Sequence, residues 1–109
     1  MTIEPVMDRV VALLVEACDP EEILLFGSHA KDRAGVESDL DLLVIGRFER
    51  TAAAWQRELA QLLDRFPIRI DLLVATREQV ERDCAVPQGF MVSVVESAVR
   101  LYSKNDRRV

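Results

Sequence analysis

The sequence is poor in the residues that bind transition metals or form disulfide bonds. It has two cysteines, Cys18 and Cys84, and one histidine, His29. No C-x-x-C pair occurs, and no histidine accompanies either cysteine, so zinc and redox sites have little support. We predict that both cysteines are buried, reduced thiols, as free cysteines in protein cores usually are.

Net positive charge and long apolar runs are also missing. The net charge is −5 and the pI is about 4.9, which leaves no general basic surface for a long nucleic acid. No apolar run approaches the ~20 residues of a membrane helix, and the first residues lack the features of a secretory signal. We therefore expect a cytoplasmic protein with neither a membrane nor a long nucleic acid as partner.

What the sequence does contain is a regular alternation of helical and strand patterns. With 50% hydrophobic residues in a chain of 109, we expect one globular domain over residues 1–109. The apolar spacing predicts helices over 3–18 and 51–66, a short helix at 28–35, and strands at 23–26, 40–46 and 68–75. A last helical region starts at Thr76, breaks near Pro87 and continues to residue 103. This order predicts an α/β (α+β) fold in which helices cover a small sheet.

Two carboxylates interrupt the second predicted strand. Asp39 and Asp41 lie one residue apart in SDLDLLVIG, so they share one side of the strand while Leu40 and Leu42 face the core. Carboxylates on one side repel each other unless a cation lies between them. Because oxygen ligands without histidine or cysteine suit Mg²⁺, the pair predicts a magnesium site. A solvated edge-strand face is the alternative for the pair alone.

Three more residues extend this candidate site. Asp71 lies in the third apolar strand, IRIDLLVA, and a third carboxylate would allow two Mg²⁺ ions about 3.5–4 Å apart. Asp71 could also act as the base for an incoming hydroxyl group. Gly27 and Ser28 precede the short predicted helix, whose first N–H groups could bind a phosphate. The set predicts a site for a nucleoside triphosphate.

These residues also carry a family resemblance. The stretch GSHAKDRAGVESDLDL, residues 27–42, resembles the signature of the nucleotidyltransferase superfamily related to DNA polymerase beta. That signature is G-S-x-A-R-G, five residues, then S-D-x-D-L, and its spacing is the same here. The resemblance is closest to the minimal nucleotidyltransferases. It implies a nucleotidyltransferase core with a small mixed sheet of three to four strands, flanked by about four helices.

The resemblance implies a role for each matching residue. Gly27 and Ser28 would hold the triphosphate, and Asp39 and Asp41 would bind two Mg²⁺ ions. Asp71 falls where the family has its third carboxylate. It would bind the second ion and take the proton of the nucleophile.

The same stretch has a further matching position and two departures. By the resemblance, Ser38 would orient the acidic pair through a hydrogen bond. Lys31 stands where arginine is usual, so it could contact a phosphate without the two-pronged arginine geometry. Asp32 replaces the usual glycine and adds a negative charge near the triphosphate, which predicts weaker nucleotide affinity.

Minimal nucleotidyltransferases are typically encoded beside a HEPN-domain protein, and some of these pairs act as toxin and antitoxin. In such pairs the nucleotidyltransferase moves AMP from ATP to a tyrosine of the HEPN ribonuclease. The resemblance thus implies a Mg-dependent protein adenylyltransferase that forms a hetero-oligomer with a HEPN toxin. Two alternatives stay open. One is a non-catalytic antitoxin that neutralises its partner by binding. The other is transfer to a small molecule such as an aminoglycoside, which normally requires an additional substrate domain.

Overall fold

Eight helices and strands make up the part of the chain that the structure describes. This computed structural model describes residues 4–27, 40–87 and 89–104. Within these ranges, no helix is long and apolar enough to cross a membrane. The elements in chain order are α1 (Glu4–Cys18), β1 (Glu22–Phe26), β2 (Leu40–Gly46), α2 (Ala52–Leu63), β3 (Ile70–Thr76), α3 (Arg77–Cys84), α4 (Phe90–Ser97) and β4 (Val99–Ser103).

The strands form one mixed sheet in the order β3-β2-β1-β4. β1 is antiparallel to both β2 and β4, whereas β2 and β3 are parallel. Parallel neighbours need a crossover connection, and α2 provides it between β2 and β3. The four-stranded mixed sheet and the four helices in the described ranges confirm the predicted α/β (α+β) fold.

Helices cover both faces of the sheet because the central strand β2 is apolar on both sides. Leu40, Leu42 and Val44 pack with α1 and α2 and are fully buried. Leu43 and Ile45 pack on the opposite face with α3 and α4. An uninterrupted apolar run is typical of a strand that is buried on both faces. Asp41 is the single charged residue of β2 and is partly buried.

The first half of the fold follows the sequence-based prediction closely. β2 occupies residues 40–46 as predicted, and α1 ends at Cys18. Thr51 caps α2, because its side-chain oxygen accepts a hydrogen bond from the N–H of Ala54 at 3.1 Å. The helix predicted at residues 28–35 lies outside the described residues.

The end of the chain corrects one prediction. The break near Pro87 is confirmed, but the last helix stops at Ser97 instead of continuing to residue 103. Residues 99–103 form β4, which pairs with β1 along that strand's other edge. Helical spacing of apolar residues was misleading here, because the β-branched and aromatic residues of VRLYS also suit a strand, and β1 offers them backbone hydrogen bonds.

The two cysteines are free thiols, and each is partly buried where full burial was predicted. The thiol of Cys18 donates a hydrogen bond to the carbonyl oxygen of Leu14 at 3.4 Å. Burial, with a smaller contribution from the charge of Asp19, raises the pKa of Cys18 to about 11. The thiol of Cys18 therefore stays protonated at neutral pH.

Candidate functional site

The structure describes three of the residues predicted for the site, namely Gly27, Asp41 and Asp71. They come from the end of β1 and the beginnings of β2 and β3. The other predicted site residues lie outside the described ranges: Ser28, Lys31, Ser38 and Asp39, together with Asp32. Their roles remain predictions.

Asp41 and Asp71 are direct neighbours across the parallel pair of strands. Each is the second residue of its strand, and adjacent strands lie about 4.8 Å apart, so the two side chains leave the same face of the sheet. This is the face of Leu43 and Ile45, opposite the α1 and α2 side. Asp41 is partly buried and Asp71 is exposed. The pairing brings two predicted carboxylates together at a solvent-accessible edge.

Gly27 reaches the same place from the end of β1, on the other side of β2. Phe26, the last residue of β1, pairs with Asp41, and Gly27 follows it with a φ of 76°. This left-handed conformation favours glycine. A Cβ atom at position 27 would overlap Oδ2 of Asp41 and lie 3.1 Å from its Cγ. Because Gly27 has no side chain, the Asp41 carboxylate can occupy the space that a Cβ atom would take.

Arg69 is a neighbour of the site that the sequence analysis did not identify. Its Nε lies 3.6 Å from Oδ1 of Asp71, and the two side chains are 76% and 49% exposed. An ion pair this open to solvent contributes about 0–1 kcal/mol, so it does not neutralise the Asp71 carboxylate strongly. The two-residue spacing along one strand, which puts Arg69 and Asp71 on the same face, could have identified it.

The donor atoms at this edge fit a magnesium ion. Mg²⁺ is usually held by one or two carboxylates, with waters and substrate phosphates completing its coordination. Asp41 and Asp71 supply such a pair, and the Asp41 carboxylate lies against Gly27. No cluster of three or more histidine, cysteine or acidic side chains that could hold a metal occurs among the described residues. The third predicted carboxylate, Asp39, lies outside them.

A different group of charges lies at the other end of the same sheet face. Glu22 pairs with Ile45, near the end of β2, and accepts a hydrogen bond from Nη2 of Arg77. Arg77 also donates from Nε to Glu21 at 3.0 Å, and Nε of Arg100 lies 3.3 Å from Glu22. Burial alone would lower the pKa of Arg77. Its hydrogen bonds to the two glutamates outweigh burial, so the net shift of the pKa is upward. These acidic groups are neutralised within the protein.

Solved structures with a similar fold include the following two. A candidate nucleotidyltransferase from Sulfolobus solfataricus superposes with a TM-score of 0.62 at 18% identity, over 93% of this chain and 80% of that chain. A toxin–antitoxin structure with AMP-PNP superposes with a TM-score of 0.51 at 20% identity, over 87% of this chain and 72% of that chain. At these identities the likeness concerns the fold. No curated protein matches significantly.

The sequence itself matches a family over nearly its whole length. Residues 9–102 match the nucleotidyltransferase domain family, a range that reaches from α1 into β4 and includes every residue predicted for the site. The fold and the family match agree. The chain therefore belongs to the nucleotidyltransferase domain family.

Proposed function

We propose that this chain is a Mg-dependent nucleotidyltransferase that moves AMP from ATP to a hydroxyl group of a partner protein. Nucleotidyltransferase domains use a nucleoside triphosphate and a divalent metal. The observation that carries the proposal is the side-by-side placement of Asp41 and Asp71, with Gly27 against the Asp41 carboxylate. In this proposal residues 1–109 form a single minimal nucleotidyltransferase domain.

Each site residue has a role in this reaction. Asp39, Asp41 and Asp71 would hold two Mg²⁺ ions, which when bound neutralise phosphate charge and stabilise the attacking and leaving oxygens. Gly27 would hold the triphosphate, and its lack of a side chain lets the Asp41 carboxylate lie against it. Three residues outside the described ranges complete the nucleotide site, with Ser28 and Lys31 on the phosphates and Ser38 orienting the acidic pair.

The transfer joins the acceptor oxygen to the α-phosphorus of ATP and breaks the bond from that phosphorus to pyrophosphate. The acceptor hydroxyl loses its proton in the same step. In this proposal Asp71 takes that proton, a role supported by its exposure and by its position on the outer strand β3, where a second protein could approach. Asp41, which is partly buried between strands β1 and β3, is better suited to hold a ligand than to meet an acceptor.

We further propose that the acceptor is a tyrosine of a HEPN-type toxin and that the chain acts as its antitoxin in a hetero-oligomer. The fold likeness to a toxin–antitoxin structure with AMP-PNP supports a protein partner and an adenine nucleotide. The surface offers apolar side chains for such a contact. Val86, in the turn after α3, is 56% exposed, and Phe90, at the start of α4, is 67% exposed.

The test is transfer of radiolabelled AMP from ATP to the purified co-encoded partner in the presence of Mg²⁺. We expect the partner to gain label and the mass of AMP, and both Asp41→Asn and Asp71→Asn to abolish the gain. Asp83→Asn is the matched control, because Asp83 is an exposed aspartate of α3. Full labelling by Asp41→Asn or Asp71→Asn would contradict the metal assignment. Silencing of the partner without a mass change would favour the non-catalytic antitoxin.

A further inference from the structure

The outer edge of β3 is where the candidate site meets solvent. β3 is the last strand of the sheet, and among the described strands its one neighbour is β2. In a parallel pair, alternate residues direct both backbone groups to the neighbouring strand. The N–H of Leu40 donates to the carbonyl of Arg69 at 2.9 Å, so Arg69 and Asp71 belong to the set that faces β2. Leu72 and Val74 therefore direct their backbone groups outward.

Gln56 of α2 occupies this outward edge. Its Nε2 donates a hydrogen bond to the carbonyl oxygen of Leu72, and its Oε1 accepts one from the N–H of Val74 at 2.9 Å. One side-chain amide thus pairs with two backbone groups as a residue of a neighbouring strand would. Gln56 is partly buried, and α2 is anchored to the sheet by the buried Leu59 and Leu63. The amide is held on a rigid element.

The backbone of Asp71 is paired with β2, but its side chain has little support. It is the second residue of its strand, it follows a segment of turns, and its side chain is 49% exposed. Its ion pair with Arg69 is long and open to solvent. The strand end at Ile70 would fray easily without a partner on its outer side. The bond from Gln56 to Leu72 acts on the residue directly after Asp71.

We propose that Gln56 is a positioning residue. It fixes the part of β3 that directly follows Asp71 and so keeps the Asp71 carboxylate beside that of Asp41. This inference rests on the proposed function, in which these two carboxylates bind a divalent metal. A purely structural Gln56 would stabilise the folded state without altering the metal affinity of the molecules that are folded. A positioning Gln56 alters that affinity.

The experiment measures Mn²⁺ binding to the full chain by the electron paramagnetic resonance signal of free Mn²⁺. Gln56→Met keeps the side-chain length but removes both hydrogen bonds. We expect it to weaken Mn²⁺ binding about tenfold, as loss of a residue that supports a metal ligand commonly does. Gln61→Met is the matched control, because Gln61 is exposed on the same helix, and we expect it to bind Mn²⁺ like the wild type. We expect the N–H of Val74 to exchange with solvent deuterium faster in Gln56→Met than in the wild type or in Gln61→Met.

A second variant covers the case in which Gln56→Met does not fold. Gln56→Glu keeps an acceptor for the N–H of Val74 but loses the donor to Leu72, so we expect a smaller loss of Mn²⁺ affinity. Wild-type affinity in the folded Gln56 variants, together with weakened binding in Asp71→Asn, would overturn the role of Gln56 alone. Wild-type affinity in Asp71→Asn as well would overturn the metal site itself.

Discussion

The acidic residues at the two ends of one sheet face have different neighbours. At one end, Glu22 on β1 is bonded to Arg77 and lies 3.3 Å from Arg100. At the other end, where Phe26 pairs with Asp41, the next residue across the sheet is Asp71. Between them α3 and α4 cover the apolar middle of the face. The Glu22 end pairs an acid with arginines, whereas at the other end the cross-strand neighbour of Asp41 is a second acid.

This difference distinguishes a structural charge cluster from the proposed metal site. Glu22 is 19% exposed, and a half-buried carboxylate with arginine partners is already satisfied by the protein. Two carboxylates side by side repel each other, and the exposed Arg69 screens Asp71 weakly. In the proposed function a cation from solution would relieve the repulsion at that end. We infer that the Glu22 end stabilises the fold and that the Asp41 end binds the metal.

The substitution with the largest expected effect on the Asp41 end is Gly27→Ala. We expect it to lower AMP transfer at least about a hundredfold, the loss typical of a misplaced catalytic group. The added Cβ would push against the Asp41 carboxylate, and the φ of 76° is strained for alanine. The measurement is kcat/KM for AMP transfer, with Mn²⁺ affinity as a second readout. Gly89→Ala is the control, because Gly89 has an ordinary φ of −75° and lies before α4. Full activity of Gly27→Ala would show that the carboxylate orientation seen here is not the active one.

Arg77→Met should break the other end and leave the metal site intact. It removes one of the two arginine partners of Glu21 and of Glu22, and the lost hydrogen bonds to these mostly buried charges destabilise the fold by about 1–3 kcal/mol. The free energy of unfolding in urea measures this loss. Arg82→Met is the matched control, because its pair with Glu78 has side chains 68% and 84% exposed, and we expect a change below about 0.5 kcal/mol.

The functional half of this prediction is that folded Arg77→Met binds Mn²⁺ like the wild type. A weakened metal site in Arg77→Met, with unfolding free energy unchanged, would show that the two ends are coupled. The assignment of separate roles to the two ends would then be wrong.

A metal should stabilise the wild type and not a variant with one carboxylate fewer. At tenfold excess over its dissociation constant, Mn²⁺ would raise the unfolding free energy by about 1.4 kcal/mol. Asp71→Asn should lose most of this gain. Without metal, we expect the unfolding free energy of Asp71→Asn to lie within about 0.5 kcal/mol of the wild-type value, because the substitution removes both a repulsion and a weak ion pair. Thermal unfolding with Mn²⁺ and with a chelator measures both effects. An equal gain in Asp71→Asn would remove Asp71 from the metal site.

Local sequence patterns predicted the elements of the fold but not the contacts between them. The apolar run of β2 and the cap at Thr51 depend on neighbouring residues, and both were predicted correctly. β4 was predicted as helix, because its pairing with β1 depends on residues 74 or more positions away in the sequence, from Leu25 to Val99. Long-range pairing decides strands more than local preference does.

The same limit applies to the site. Asp41 and Asp71 were recognised as acids in apolar strands, but their adjacency follows from the register of a parallel pair, which no local pattern specifies. Arg69 and Gln56 were not identified, because an arginine in a strand and a glutamine on a helix are common surface residues. What makes them notable is the particular strand edge and carboxylate that the fold places beside them.

The smallest predicted effect concerns alkaline pH at Cys18, the last residue of α1, which packs on the opposite face of the sheet. The folded-state pKa of Cys18 is about 11 against an ordinary value of 9.0. Above pH 9 the unfolded chain loses this proton while the folded chain keeps it, so the folded state binds more protons and its stability falls as the pH rises toward 11. Because the thiol is only partly buried, the loss should not exceed about 1 kcal/mol. The wild type should therefore lose more unfolding free energy than Cys18→Ala between pH 8 and pH 10.5, measured in urea. Cys84→Ala serves as the control, and a loss in Cys18→Ala equal to that of the wild type would exclude Cys18 as the titrating group.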